Sequence, residues 1–171
     1  MTPTAHQKAV WNATEQPELL RLCEHNDILD KVVLWDDPAG FRVRLHVFLP
    51  GYFDGPHNHR WSYASTILAG EYRRILFGGA DLDERVDPAS LTPVMVRWEQ
   101  AGTSYLLQHT MVHAVVAEPY TVSLVIRGAA VKDRFSSWTG VPARAGGSTG
   151  QAGNPQRMPP RSGCPSSGWL S

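Results

Sequence analysis

At 171 residues, with 42% hydrophobic side chains and six tryptophans, the chain has enough apolar surface for one cored domain, or one domain and a tail. Sixteen Lys and Arg balance sixteen Asp and Glu, so no basic excess points to nucleic acid or an anionic membrane. The first residues lack the apolar core of a signal peptide, no run approaches a membrane span, and Cys23 and Cys164 make no disulfide framework, so a cytoplasmic protein is expected.

Residues 1–13 carry no pattern. A helix is expected from about Thr14 to Leu29: Thr14 can cap it, Pro17 suits its first turn, and Leu19, Leu22 and Cys23 mark one face. Among those leucines Cys23 reads as a buried thiol rather than a reactive one. From Lys31 the pattern turns to strands. Val32 to Trp35 run into the turn Asp36-Asp37-Pro38-Ala39-Gly40. Phe41, Val43, Leu45, Val47 and Leu49 then alternate with Arg42, Arg44, His46 and Phe48, a period of two that places Arg44 and His46 on a solvated face.

After Pro50-Gly51 comes GYFDGPHNHRWSYASTILAGE, in which His57 and His59 lie one residue apart. On a strand, residues i and i+2 share a face, so both imidazoles would project together; on a helix they would diverge. Trp61, Tyr63, Thr66 and Ile67 favour the strand and Gly70 closes it. A third ligand must come from elsewhere, and His113 is the candidate, with His109 as the rival four residues earlier. Further strands are expected over Glu71–Phe77, Val94–Glu99, Tyr105–Leu107, Met111–Val116 and Tyr120–Arg127, with a polar loop over 78–93. About eight short strands predict an antiparallel sandwich or barrel. The expected organisation is an N-terminal extension with its helix (1–30), a barrel (31–139) and, over the Gly-, Pro- and Ser-rich residues 140–171, a disordered tail.

The spacing Gly51, five residues, His57-x-His59, three residues, Tyr63, six residues, Gly70 resembles the first motif of the cupins, with Tyr63 in the place of that motif's glutamate. Gly102 and His113 match the second motif, in which Gln108, Thr110 and Ala117 replace its proline, second glycine and asparagine. The resemblance covers most of residues 31–135 and implies an all-β fold, a jelly-roll (double-stranded β-helix) barrel holding a metal inside one mouth. A cupin that lacks the glutamate and keeps three histidines is similar to the cysteine dioxygenases and related thiol dioxygenases. Pro56, His57, His59, Trp61, Gly70-Glu71 and Ser123-Leu124 carry that likeness.

What the likeness implies is a non-heme Fe(II) dioxygenase with His57, His59 and His113 as ligands, other divalent ions remaining open. A small polar substrate and dioxygen are its expected partners, with no nucleic acid or membrane, and a homodimer stays open. The family's cross-linked cysteine falls on Ala64, and its Ser-x-His-x-Tyr run is Ser123-Leu124-Val125-Ile126-Arg127, without that histidine and tyrosine. The slot of its carboxylate-binding arginine falls on Lys31, and Arg127, on the strand face of Ser123, could supply the bidentate fork instead. These departures point away from free cysteine. Tyr63 and Arg127 are the candidate catalytic residues; Lys31, Trp61 and Ser123 the candidate substrate-binding ones. A metal cupin that uses no oxygen (isomerase, lyase or hydrolase) and a small-molecule sensor are the alternatives.

Overall fold

The structure, a computed structural model, describes residues 16–78 and 90–138. Two antiparallel sheets carry the chain. The first has six strands in the order β1 (Glu24–Asn26), β2 (Leu29–Asp36), β3 (Arg42–Phe48), β10 (Val122–Arg127), β5 (Tyr63–Ala69) and β8 (Ser104–Leu107). The second has four, in the order β4 (Phe53–His57), β9 (Val112–Ala117), β6 (Glu71–Gly78) and β7 (Thr92–Gln100). Strands distant in sequence are neighbours in both sheets, β10 lying between β3 and β5 and β9 between β4 and β6, which is the jelly-roll arrangement.

The helix α1 is short, Pro17–Leu20, not the expected span to Leu29. Its Leu19 packs with Cys23 and Val33. The turn after it frees Glu24–Asn26 to pair with β2 in antiparallel register, Glu24 opposite Lys31. Tertiary pairing has displaced a local helical pattern here. Thr14 and the expected tail lie outside the described residues. Cys23 is buried, its thiol donating to the Leu19 carbonyl at 3.4 Å.

Strand alternation is as expected, but on β3 the two faces are exchanged. Arg44, His46 and Phe48 line an internal cavity, which turns Val43, Leu45 and Val47 to the opposite face. The barrel interior is therefore a polar chamber at this wall, not a hydrocarbon core. Beside it Phe48, Tyr52, Ile67 and Tyr72 pack into one apolar cluster, of which Phe48, Tyr52 and Tyr72 also border the chamber. A second cluster joins Ile75, Phe77, Val112 and Ala114 with Leu91 and Trp138.

Candidate metal centre

The register of β4 with β9 sets His57 directly opposite His113. Side chains so placed in an antiparallel pair are nearest neighbours, so a long sequence separation closes to ring centroids 4.4 Å apart. The β4 strand ends at His57, and residues 58–62 are irregular rather than a continuation of it. His59 nevertheless returns to the same point, its ring 4.7 Å from His57 and 5.0 Å from His113. That irregular stretch is pinned from outside. Asn58 donates its backbone N–H to the Ser136 carbonyl at 3.0 Å, and its side-chain oxygen accepts the Ser136 N–H at 2.8 Å. The Trp138 N–H donates to the Pro56 carbonyl at 2.9 Å.

One ring nitrogen from each of the three histidines lies within 4.8 Å of the others. His57 donates its Nδ1–H to the Gly55 carbonyl at 2.8 Å; a carbonyl can only accept, so the Nε2 lone pair is free to ligate, the usual way a backbone group orients a metal histidine. His59 Nε2 and His113 Nε2 face each other at 2.8 Å. Burial, then the neighbouring histidines, pushes the His59 ring down to about 2 and His113 well below its ordinary value, so both stay neutral. Neutral imidazoles that converge on one point fit a divalent cation, which binds such nitrogens at about 2.0–2.1 Å in the case of zinc. His113 Nδ1 is buried without a partner among the described residues. His109 is elsewhere, its Nδ1 3.3 Å from the Ser62 hydroxyl.

The chamber beside these histidines has a volume of about 350 Å³. Tyr63, in the glutamate's place, is buried with its hydroxyl 3.5 Å from His113 Nε2, and burial raises its pKa well above the ordinary tyrosine value. Lys31, Trp61 and Ser123 line the chamber as well. The Lys31 ammonium is engaged by Glu24 Oε2 at 2.6 Å. Arg127 is not among the lining residues: it donates to the carbonyls of Gly40 (2.9 Å) and Gly128 (3.1 Å) and lies 4.5 Å from the centroid of Trp61. Its guanidinium steadies Trp61 instead of facing the histidines. Arg44 and His46, expected in solvent, are on the chamber wall. Asp54 is a further unanticipated neighbour, with Oδ2 3.4 Å from His57 Nε2 and accepting from Tyr52 at 3.2 Å. The strand alternation placed Arg44 and His46 together; which side was inside could not be read without knowing that a polar chamber lies in the interior.

No family model matches the chain, and no curated protein matches it by sequence. Several solved structures align with its fold, one of them described as an RmlC-like cupin. KdgF from Halomonas sp. aligns at 17% identity and a TM-score of 0.47 over 62% of this chain and 86% of that one. An RmlC-like cupin from Shewanella frigidimarina aligns at 17% identity and a TM-score of 0.49 over 64% and 85%. Hydroquinone 1,2-dioxygenase from Sphingomonas sp. TTNP3, with 4-hydroxybenzoate bound, aligns at 14% and 0.47 over 59% and 66%. At such distances chemistry does not transfer, and the side chains described above are the grounds for function. No helix among the described residues is long and apolar enough to cross a membrane.

Proposed function

We propose that the chain is a metal-dependent oxygenase, a dioxygenase of the cysteine dioxygenase-like type that holds Fe(II) on His57, His59 and His113 and acts on a small polar substrate. The observation that carries this reading is the convergence of three imidazoles within 4.8 Å beside a chamber of about 350 Å³. Three imidazole nitrogens would hold the ion and leave it room for further ligands. When bound, iron would supply the electron transfer that lets a substrate react with dioxygen.

The chain's own groups do the rest. Tyr63 offers a hydroxyl beside His113 that keeps its proton, because burial disfavours the phenolate, and so can donate to a substrate atom held there. Trp61 and Ser123 shape the wall against which the substrate is held. Lys31, paired with Glu24, is a fixed positive charge at the same chamber. Placing two reactants in fixed positions removes much of the entropic barrier to their encounter.

Anaerobic reconstitution with Fe(II), followed by oxygen-electrode measurements with thiols and organic acids, tests this. Oxygen uptake that depends on Fe(II) and vanishes in His113→Ala is the expected result. Turnover supported equally by zinc, with no oxygen consumed, would replace the oxygenase with a Lewis-acid enzyme.

A further inference from the structure

The chamber wall carries a charge excess that its own residues do not close. Lys31, Arg44 and Arg60 line it against Glu24 and Asp54, three cations to two carboxylates, and a divalent ion would add to the excess. Glu24 is committed to Lys31 at 2.6 Å. Arg60 donates to the Lys132 carbonyl at 3.2 Å. Arg44 is different: its side chain is 8% exposed, its ion pair with Glu24 is long at 4.0 Å, and its Nε is buried without a partner among the described residues. Burial, its first cause, pulls the Arg44 pKa down to about 10, the mark of a cation short of solvation. Trp61, whose ring centroid is 5.7 Å from the Arg44 guanidinium carbon, also has a buried indole N–H with no partner among the described residues. A buried guanidinium of this kind is matched by a carboxylate, which accepts two of its N–H groups at once.

The rest of the lining says what that carboxylate is attached to. Phe48, Tyr52, Trp61, Tyr63, Tyr105 and Phe135 present rings to the chamber. Its 350 Å³ falls in the range of pockets that hold small organic ligands. That exceeds the room a short aliphatic acid fills, and rings prefer ring partners in offset or edge-on contact.

We propose that the site takes an aromatic carboxylic acid, its carboxylate on Arg44 and its ring among the chamber's aromatic side chains, with Arg44 setting the specificity for anions. This rests on reading the chamber beside the three histidines as the substrate site, and requires nothing of oxygen.

Calorimetric titration of the zinc-loaded protein tests it, since zinc consumes no oxygen and binding is read without turnover. Three probes are used: 3-phenylpropanoate, its neutral amide, and hexanoate. The acid is expected to bind at least tenfold more tightly than either of the others. Arg44→Gln is expected to bring acid and amide to equal affinity, and Arg44→Lys to retain part of the difference. Equal affinity for acid and amide in the wild type would overturn the proposal, as would undiminished binding of the acid to an Arg44→Gln protein of full zinc content. Hexanoate binding as tightly as the aryl acid would overturn the aromatic class. Should Arg44→Gln fail to load zinc, the wild-type affinity ratios decide by themselves. An absence of Fe(II)-dependent oxygen uptake would sink the dioxygenase while leaving these ratios untouched.

Discussion

Arg74 and Glu99 are withdrawn from water together, at 3% and 0% exposure, with Arg74 Nη2 and Nε both donating to Glu99 Oε1 at 2.6 and 3.0 Å. The Arg74 guanidinium carbon also lies 4.0 Å from the centroid of the Tyr105 ring, whose hydroxyl is bonded to that of Tyr72. Desolvating two charges costs several kcal/mol each, and their attraction offsets that only while both are present. Removing one partner should therefore hurt far more than removing both. Glu99→Leu is expected to lower stability by about 3–5 kcal/mol, and the double variant Arg74→Met with Glu99→Leu to recover most of it. Urea unfolding of the two variants checks this; a double variant as unstable as the single would mean that the pair stabilises the barrel in its own right. Glu99 Oε2 has no partner among the described residues, which is consistent with a pair kept for position rather than for maximal bonding.

The joints between strands depend on a few backbone positions, of which Gly70 is the tightest. It links β5 to β6 at φ +73°, and a Cβ there would stand 2.5 Å from Thr121 Oγ1 and 2.9 Å from the Thr121 Cα. Thr121 cannot retreat, because its hydroxyl oxygen lies 2.8 Å from both the Glu71 and Glu118 carbonyls, which share its one proton, and accepts the Glu71 N–H. Gly70→Ala combines a left-handed backbone with a backbone clash and is expected to cost about 2–4 kcal/mol, read as a fall in thermal midpoint. A midpoint within a degree of wild type would show that the β5–β6 turn can open freely. Elements like this one were legible in the sequence: Gly51, Gly70 and Gly102 all adopt positive φ, and the strand boundaries followed the turn residues that separate them. The α1 helix was overextended because Leu19, Leu22 and Cys23 fit a helical stripe, whereas pairing of Glu24–Asn26 with β2 outweighed it. His57 and His59 were paired by their spacing, whereas His113 was preferred to His109 by the cupin resemblance counted from Gly102. Arg44 was misplaced because a period of two fixes which residues share a face, but assigns the polar face to solvent only when the interior is dry. Arg127 shared the right parity with Ser123, yet it sits at the end of β10, where the guanidinium reaches the Gly40 carbonyl.

At the scale of the molecule, stability and metal binding are coupled through histidines that the fold keeps uncharged. His46, His59 and His113 all have their proton affinity lowered, desolvation being the first cause in each, with His59 at about 2. In the unfolded chain the same rings protonate near 6.5. Below that value the unfolded state binds protons that the folded state refuses, so stability is full above about pH 6.5 and declines as pH falls beneath it. The slope is up to about 1.4 kcal/mol per pH unit for each ring, or ~4 kcal/mol for the three. For His59 the window reaches down to about pH 2. A divalent ion competes with protons for the nitrogens of His57, His59 and His113, whereas His46 is outside that set. Urea midpoints of EDTA-treated protein should thus be flat from pH 8 to 7 and fall steadily from 6.5 to 5. At pH 7.5, zinc at a hundred times its Kd should add about 2.7 kcal/mol, and this increment should disappear in His113→Ala and shrink in acid. A midpoint that stays level down to pH 5 would mean that the rings accept protons in place, and the chamber would then be wet enough to hydrate three imidazolium ions.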